Sequence, residues 1–293
     1  MRNAVTIEAP GALLQGDLWS PESVRGAVVL ANAMAVPRRF YARFAEALSQ
    51  RGLAVLTFDY RGVAGSAPAD LRGYQASLRD WGELDLEAAL ACMRERFPGL
   101  GLAVVGHSAG GQLVGMTRTR LAGVLTVASQ SGYWKLFSGL ERYKLYLLWR
   151  LVLPALCRVF GYMPARRLGL GEDVPRGPVL QWAGWCLTAG YLWSEPDLAE
   201  RYRRFDAPLR AYWVSDDHWA PQAAVRALVA GYGGGECLEM VPSRAGRTKL
   251  GHFGFFRLEP DNLAWRDCFE WLEGLPGFDG GAGPQAKGGV DLV

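Results

Sequence analysis

The sequence predicts an α/β fold: a mostly parallel sheet with helices on both faces, interrupted once by a helical insertion. Three observations carry that expectation. Short continuously apolar runs, at 27–30, 53–58 and 102–105, alternate with stretches of helical periodicity near 39–51 and 79–97. Strands apolar on both sides belong to sheets covered on both faces. The alternation stops between Gln130 and Asp206, where Trp, Tyr, Leu and Arg accumulate and Pro154, Pro164, Pro175, Pro178 and Pro196 act as breakers with no visible strand. Finally, 293 residues, half of them apolar and 21% charged, suffice for one large core with one insertion.

In chain order, 5–7 and 13–19 flank the turn signal Pro10-Gly11 and read as an opening antiparallel hairpin. The parallel strands and helices follow, with a further helix expected at 110–117 and a strand at 121–128. After the insertion, strand character resumes at 208–214, followed by a helix at 220–230, a last strand at 237–241 and a closing helix at 262–272. The expected organisation is a core of 1–129 with 207–275, an insertion at 130–206, and a flexible tail at 276–293, where glycine dominates.

Composition narrows the function. Lys plus Arg total 32 and Asp plus Glu 29, a net charge of +3 that is too small and scattered to point to nucleic acid. The five cysteines are odd in number and lack metal-ligand spacing, which fits reduced thiols in the cytoplasm and no metal or other cofactor. The start of the chain reads as a strand and carries no apolar core of signal-peptide length. The most apolar stretch, Tyr146 to Met163, is broken by Arg150, Pro154 and Arg158, short of the about 18 apolar residues of a spanning helix. An internal or membrane-surface helix is expected there.

Chemistry concentrates at three places. Gly106-His107-Ser108-Ala109-Gly110 has the form G-x-S-x-G between a strand and a helix. A serine at such a turn presents its hydroxyl over the sheet edge, while the glycines let neighbouring backbone pass. The hydroxyl needs a base, and only His107, His218 and His252 exist. His107 precedes the candidate nucleophile and is expected to point away from it, in a packing role; His252 lies in a glycine-flanked loop after the last strand. The imidazole in turn needs a carboxylate, and Asp216-Asp217 ends the 208–214 strand. Serine, then acid, then histidine is the order of a nucleophile-elbow hydrolase, with either aspartate open at this point.

Together these segments resemble the α/β-hydrolase superfamily over about residues 5–272. The segment Asp59-Tyr60-Arg61-Gly62-Val63-Ala64-Gly65-Ser66 is similar to the D-x-R-G-x-G-x-S loop of the serine aminopeptidase and monoacylglycerol-lipase branch, and the chain also resembles bacterial predicted hydrolases of that kind. The resemblance implies Ser108 as nucleophile, His252 as base and, from its acid spacing, Asp217 rather than Asp216. It places the oxyanion loop at Asn32-Ala33, where relatives carry His-Gly, with the backbone N–H groups of Met34 and Ala109 as donors. It makes 130–206 the cap, whose aromatic residues, Trp182 and Trp185 among them, are expected to bind an apolar acyl or alcohol group. The expected activity is hydrolysis of a small, lipophilic carboxylic ester, with transient membrane-surface contact. Peptidase and acyltransferase share the same acyl-enzyme, and a non-catalytic ligand-binding protein is the alternative of another class. For a peptidase, Glu172, Asp173, Glu195 or Asp197 would have to meet a substrate amine.

Overall fold

A computed structural model describes residues 1–278. The chain opens with β1 (Arg2–Ala9) and β2 (Ala12–Trp19), an antiparallel hairpin with Ala9 opposite Ala12. Gly11 takes the positive φ of 76° that the tight connection needs. There follow β3 (Gly26–Ala31), α1 (Ala42–Gln50), β4 (Leu53–Phe58), the single turn α2 (Leu78–Asp80), α3 (Glu87–Arg96), β5 (Leu102–His107), α4 (Ala109–Leu113) and β6 (Gly123–Val127). Between β6 and the next sheet strand lie α5 (Glu141–Leu147), α6 (Leu153–Phe160), β7 (Tyr162–Met163), β8 (Val174–Pro175), α7 (Arg176–Leu187) and α8 (Pro196–Arg203). The chain then forms β9 (Leu209–Val214), α9 (Gln222–Gly231), β10 (Glu236–Met240) and α10 (Leu263–Glu273).

Eight strands form one sheet in the order β1-β2-β4-β3-β5-β6-β9-β10. The β1–β2 and β2–β4 pairs are antiparallel, and every pair from β4 to β10 is parallel. Every residue of β3, β4, β5 and β6 is buried, which is why these segments read as unbroken apolar runs. β10, at one edge, is mostly exposed.

Three expectations need correction. The insertion is not free of strands: Tyr162 and Met163 pair with Pro175 and Val174 in a two-residue antiparallel ladder, too short to leave a periodic signal. The helix expected over 79–97 is divided, because a wider π-helical turn, Trp81–Leu86, separates α2 from α3. The expected tail starts too early. The Phe278 ring lies so close to Gly26 and Gly101 that a Cβ on either would fall 2.4–2.5 Å from Phe278 or the adjoining backbone, and Gly101 N–H bonds Gly277 O at 2.9 Å. The rest of that stretch lies outside the described residues.

Because β6 and β9 are adjacent and parallel, the helices between them form an excursion from the sheet. The long apolar segment forms α5 and α6, joined through a π-helical turn and stopped at Gly161 with φ 82°. Among the described residues no helix is long and apolar enough to cross a membrane.

Candidate active site

Ser108 stands between β5 and α4 with φ 50° and ψ −117°, a conformation that residues other than glycine avoid. The surroundings hold it there. Ser108 N–H bonds Val127 O on β6 at 3.1 Å, and a Cβ on Gly106 would stand 2.5 Å from the Gly111 Cα. A Cβ on Gly110 would stand 2.0 Å from Ala31 O and 2.7 Å from Asn32 O, so glycine there lets α4 approach the end of β3. That contact brings the segment after β3 beside the serine.

The same segment contains Met34. Val36 N–H bonds Ala33 O at 3.2 Å, closing a turn around Met34 and Ala35, and Ala35 adopts φ 62°. Asn32 Nδ2 bonds Phe58 O at 2.7 Å and Ala33 N–H bonds Tyr41 Oη at 2.9 Å. Thus an Asn-Ala pair builds an ordered loop where relatives are expected to use His-Gly. Glu172 N–H reaches Ala35 O at 2.8 Å, tying the insertion to this loop. Ala109 is the first residue of α4, so its N–H has no acceptor within the helix.

The histidine and acid meet across the ends of β9 and β10. His252 Nδ1 lies 2.7 Å from Asp217 Oδ2, and Asp217 Oδ1 accepts Trp219 N–H at 2.8 Å. The Asp217 side chain is 1% exposed and the His252 side chain 10%. Asp216 does something different: its carboxylate accepts the N–H groups of Leu250 and Gly251 at 3.0 and 2.8 Å. It anchors the loop that carries the histidine. His218 is exposed.

His107 is fully buried, with Nδ1 2.8 Å from Tyr41 Oη and Nε2 2.8 Å from the His252 carbonyl oxygen. Burial holds its pKa well below the usual histidine range, and the nearby His252 acts in the same direction. The serine motif marked His107 only as a neighbour of Ser108, and nothing in the sequence singled out Tyr41.

The aromatic insertion is more closely packed than its composition alone suggests. Trp185 is 5% exposed and donates its indole N–H to Glu195 Oε1 at 2.6 Å. Half-buried Trp182 packs edge-to-face on Trp149, with centroids 5.7 Å apart, and donates to Tyr191 Oη at 3.0 Å. Tyr191 donates in turn to Gln112 Oε1 on α4 at 2.6 Å. Trp182 is therefore two hydrogen bonds from the serine's helix.

The D-x-R-G-x-G-x-S segment is occupied with structure. Asp59 accepts Arg38 N–H at 2.6 Å and Gly65 N–H at 3.1 Å, and pairs with the Arg38 guanidinium. Arg61 pairs with buried Asp85 at 2.6 Å.

Residues 22–133 match the family described as serine aminopeptidase, S33. The fold is similar to that of a monoglyceride lipase from Saccharomyces cerevisiae at 17% identity and TM-score 0.66, covering 92% of this chain and 94% of that one. It is also similar to a thermophilic esterase from Thermogutta terrifontis at 15% identity and TM-score 0.62, covering 92% and 98%. A third similar structure is that of Est816, described as an N-acyl homoserine lactone degrading enzyme, at 16% identity and TM-score 0.58, covering 92% and 99%. The chain thus has the α/β-hydrolase fold, and its residues 22–133 resemble the serine aminopeptidase family within it.

Proposed function

We propose that the protein is a serine hydrolase that cleaves a carboxylic ester with an apolar acyl or alcohol part. The observation that carries this reading is the Asp217–His252 contact of 2.7 Å, on the loops that follow the sheet strands, in a fold that presents Ser108 at a strained turn. In this reading the Ser108 hydroxyl attacks the ester carbonyl and passes its proton to His252 Nε2, while Asp217 fixes the ring through Nδ1. The tetrahedral oxyanion lies against the N–H groups of Met34 and Ala109. Collapse releases the alcohol, which takes the proton from His252, and water activated by the same histidine then cleaves the acyl-enzyme.

An ester suits the surroundings better than a peptide with a free amine. Glu172 pairs with Arg39 and Arg166, Glu195 and Asp197 with Arg79, and Asp173 accepts Arg166 N–H. Each candidate amine-binding carboxylate already has a cationic or N–H partner. The apolar preference is supported by the aromatic cluster of Trp149, Trp182 and Tyr191, which reaches α4 through the Tyr191–Gln112 hydrogen bond. Transient contact with a lipid surface is supported by the outer side of α5 and α6, where exposed Tyr143, Leu147, Leu151 and Val159 alternate with exposed Lys144, Arg150 and Arg158. We place the protein in the cytoplasm.

A fluorophosphonate probe tests the reading directly. It should label Ser108, and Ser108→Ala should lose both labelling and turnover of p-nitrophenyl acetate while retaining the wild-type Tm. Full labelling of that variant would overturn the assignment.

A further inference from the structure

His107 has the surroundings of a buried core residue, yet both ring nitrogens are used, and both contacts lead to the site. The hydrogen-bond directions follow from chemistry. The His252 carbonyl can only accept, so His107 Nε2 carries the hydrogen across the 2.8 Å contact. Nδ1 of the neutral ring is then bare and accepts the Tyr41 hydroxyl hydrogen at 2.8 Å. Tyr41 Oη itself accepts Ala33 N–H at 2.9 Å. Only neutral imidazole in this tautomer satisfies the whole chain. Burial of both rings favours the neutral imidazole and the protonated phenol.

Each end of the chain matters. Ala33 immediately precedes Met34, and His252 is bonded through its own backbone. His107 immediately precedes Ser108 and is the last residue of β5. One imidazole therefore joins the backbones that present the oxyanion donor, the nucleophile and the base. The ring is wedged in place by Phe256, Phe253 and Tyr41, with centroids 4.8, 5.6 and 5.8 Å away. The His252 loop is thus held at two points: Asp216 takes the N–H groups of Leu250 and Gly251, and His107 takes the carbonyl one residue later.

We infer that His107 is a positioning residue, which with Tyr41 sets the oxyanion loop and the His252 loop in register with Ser108; the inference rests on the serine-hydrolase reading. A displacement of about 1 Å between reacting groups can cost about a hundredfold in rate, so releasing either contact should appear in catalysis before it appears in binding.

The experiment uses the full chain with p-nitrophenyl acetate and a boronic acid that mimics the tetrahedral intermediate. Tyr41→Phe keeps the ring and removes the hydroxyl; it should lower kcat about tenfold to a hundredfold with KM nearly unchanged. Boronate affinity should fall in step with kcat/KM. His107→Leu should lose at least as much, and His107→Gln, whose amide can still donate to the His252 carbonyl, should recover part of the loss. Tyr41→Phe guards against a His107 variant that fails to fold, with Tm recorded for each protein. Variants that lose Tm but keep wild-type kcat per folded molecule would reduce His107 to a packing residue. A wild-type protein that neither hydrolyses esters nor takes the fluorophosphonate at Ser108 would remove the serine-hydrolase reading itself, and the positioning role with it. Active wild type with equally active variants would remove the positioning role alone.

Discussion

Asp217 and His252 lie 35 residues apart in the chain and meet at 2.7 Å, while the adjacent Asp216 turns its carboxylate onto the backbone of the same histidine loop. Two neighbouring carboxylates thus serve one imidazole in different ways, one on the ring and one on its support. If Asp217 stabilises imidazolium, Asp217→Asn should lower kcat by roughly ten-thousandfold, as replacement of a triad aspartate by its amide does elsewhere. Asp216→Ala should act first on stability, by about 1–3 kcal/mol for lost bonds to a charged acceptor, and less on kcat. Urea unfolding and steady-state kinetics separate the two. A larger kcat loss at Asp216 would exchange the roles.

The Arg61–Asp85 pair offers a test independent of substrate. Asp85 is fully buried, and its two oxygens take the Arg61 side chain and backbone N–H. Burial raises the Asp85 pKa and Arg61 opposes that rise. Arg61→Ala should cost about 3–5 kcal/mol at pH 7, because a buried carboxylate is left without its partner. The deficit should shrink as pH falls toward the carboxylate range. A folded-state pKa above the unfolded one means that the native state binds more protons there, which favours folding on acidification. Urea titrations at pH 7 and pH 4.5 measure both values; an equal deficit at the two would show that Asp85 is not the cause.

The parallel strands were legible in the sequence because burial on both faces writes an unbroken apolar run, as Leu53–Phe58 shows. Motif order pointed to the Asp216-Asp217 pair as partner of His252 but left the two aspartates open, and only the acid spacing of the resembled family favoured Asp217, whose carboxylate is the one on the ring. The supporting contacts were not legible. Asp216 acts on backbone N–H groups, which carry no residue identity, and Tyr41 reaches His107 across 66 residues with no periodic or motif signal. The two-residue β7–β8 ladder and the π-helical turn at Trp81–Leu86 escaped for a related reason: each is shorter than the window in which periodicity can be read.

Acid should reveal the neutral state of His107. Its folded pKa lies well below 6.5, so between those values an unfolded chain takes up a proton at this position that the native protein does not. The sign is that stability present above pH 6.5 is lost as pH falls from there toward the folded pKa. The groups facing the ring are the Tyr41 hydroxyl, the His252 carbonyl and the His252 imidazole, with centroids 5.3 Å apart, and none supplies a carboxylate to offset the added charge. Wild-type Tm should therefore drop between pH 7 and 5.5, and His107→Gln should show a shallower drop. Parallel curves for the two proteins would assign the acid sensitivity elsewhere.

Specificity tests the insertion. If the aromatic side chains linked to α4 receive the acyl group, each methylene added to a p-nitrophenyl ester should contribute up to about 0.8 kcal/mol, roughly fourfold in kcat/KM, until the pocket ends. The structure separates the two tryptophans expected to contribute. Trp185 is buried and bonded to Glu195, so Trp185→Ala should cost about 3–5 kcal/mol of stability through the cavity it leaves. Trp182 is half-buried, resting on Trp149 and bonded to Tyr191, whose hydroxyl reaches Gln112 on α4. Trp182→Ala should therefore shift the preferred chain length while changing the rate on acetate little, because its link to the serine's helix runs through Tyr191 and Gln112 and a two-carbon acyl group is the shortest in the series. Both variants are to be compared from acetate to octanoate at equal folded concentration. A flat profile in a wild-type protein whose turnover depends on Ser108 would remove the apolar pocket and turn the substrate search to polar esters or peptides. A rising profile unaffected by Trp182→Ala would keep the apolar pocket and move its wall to other residues.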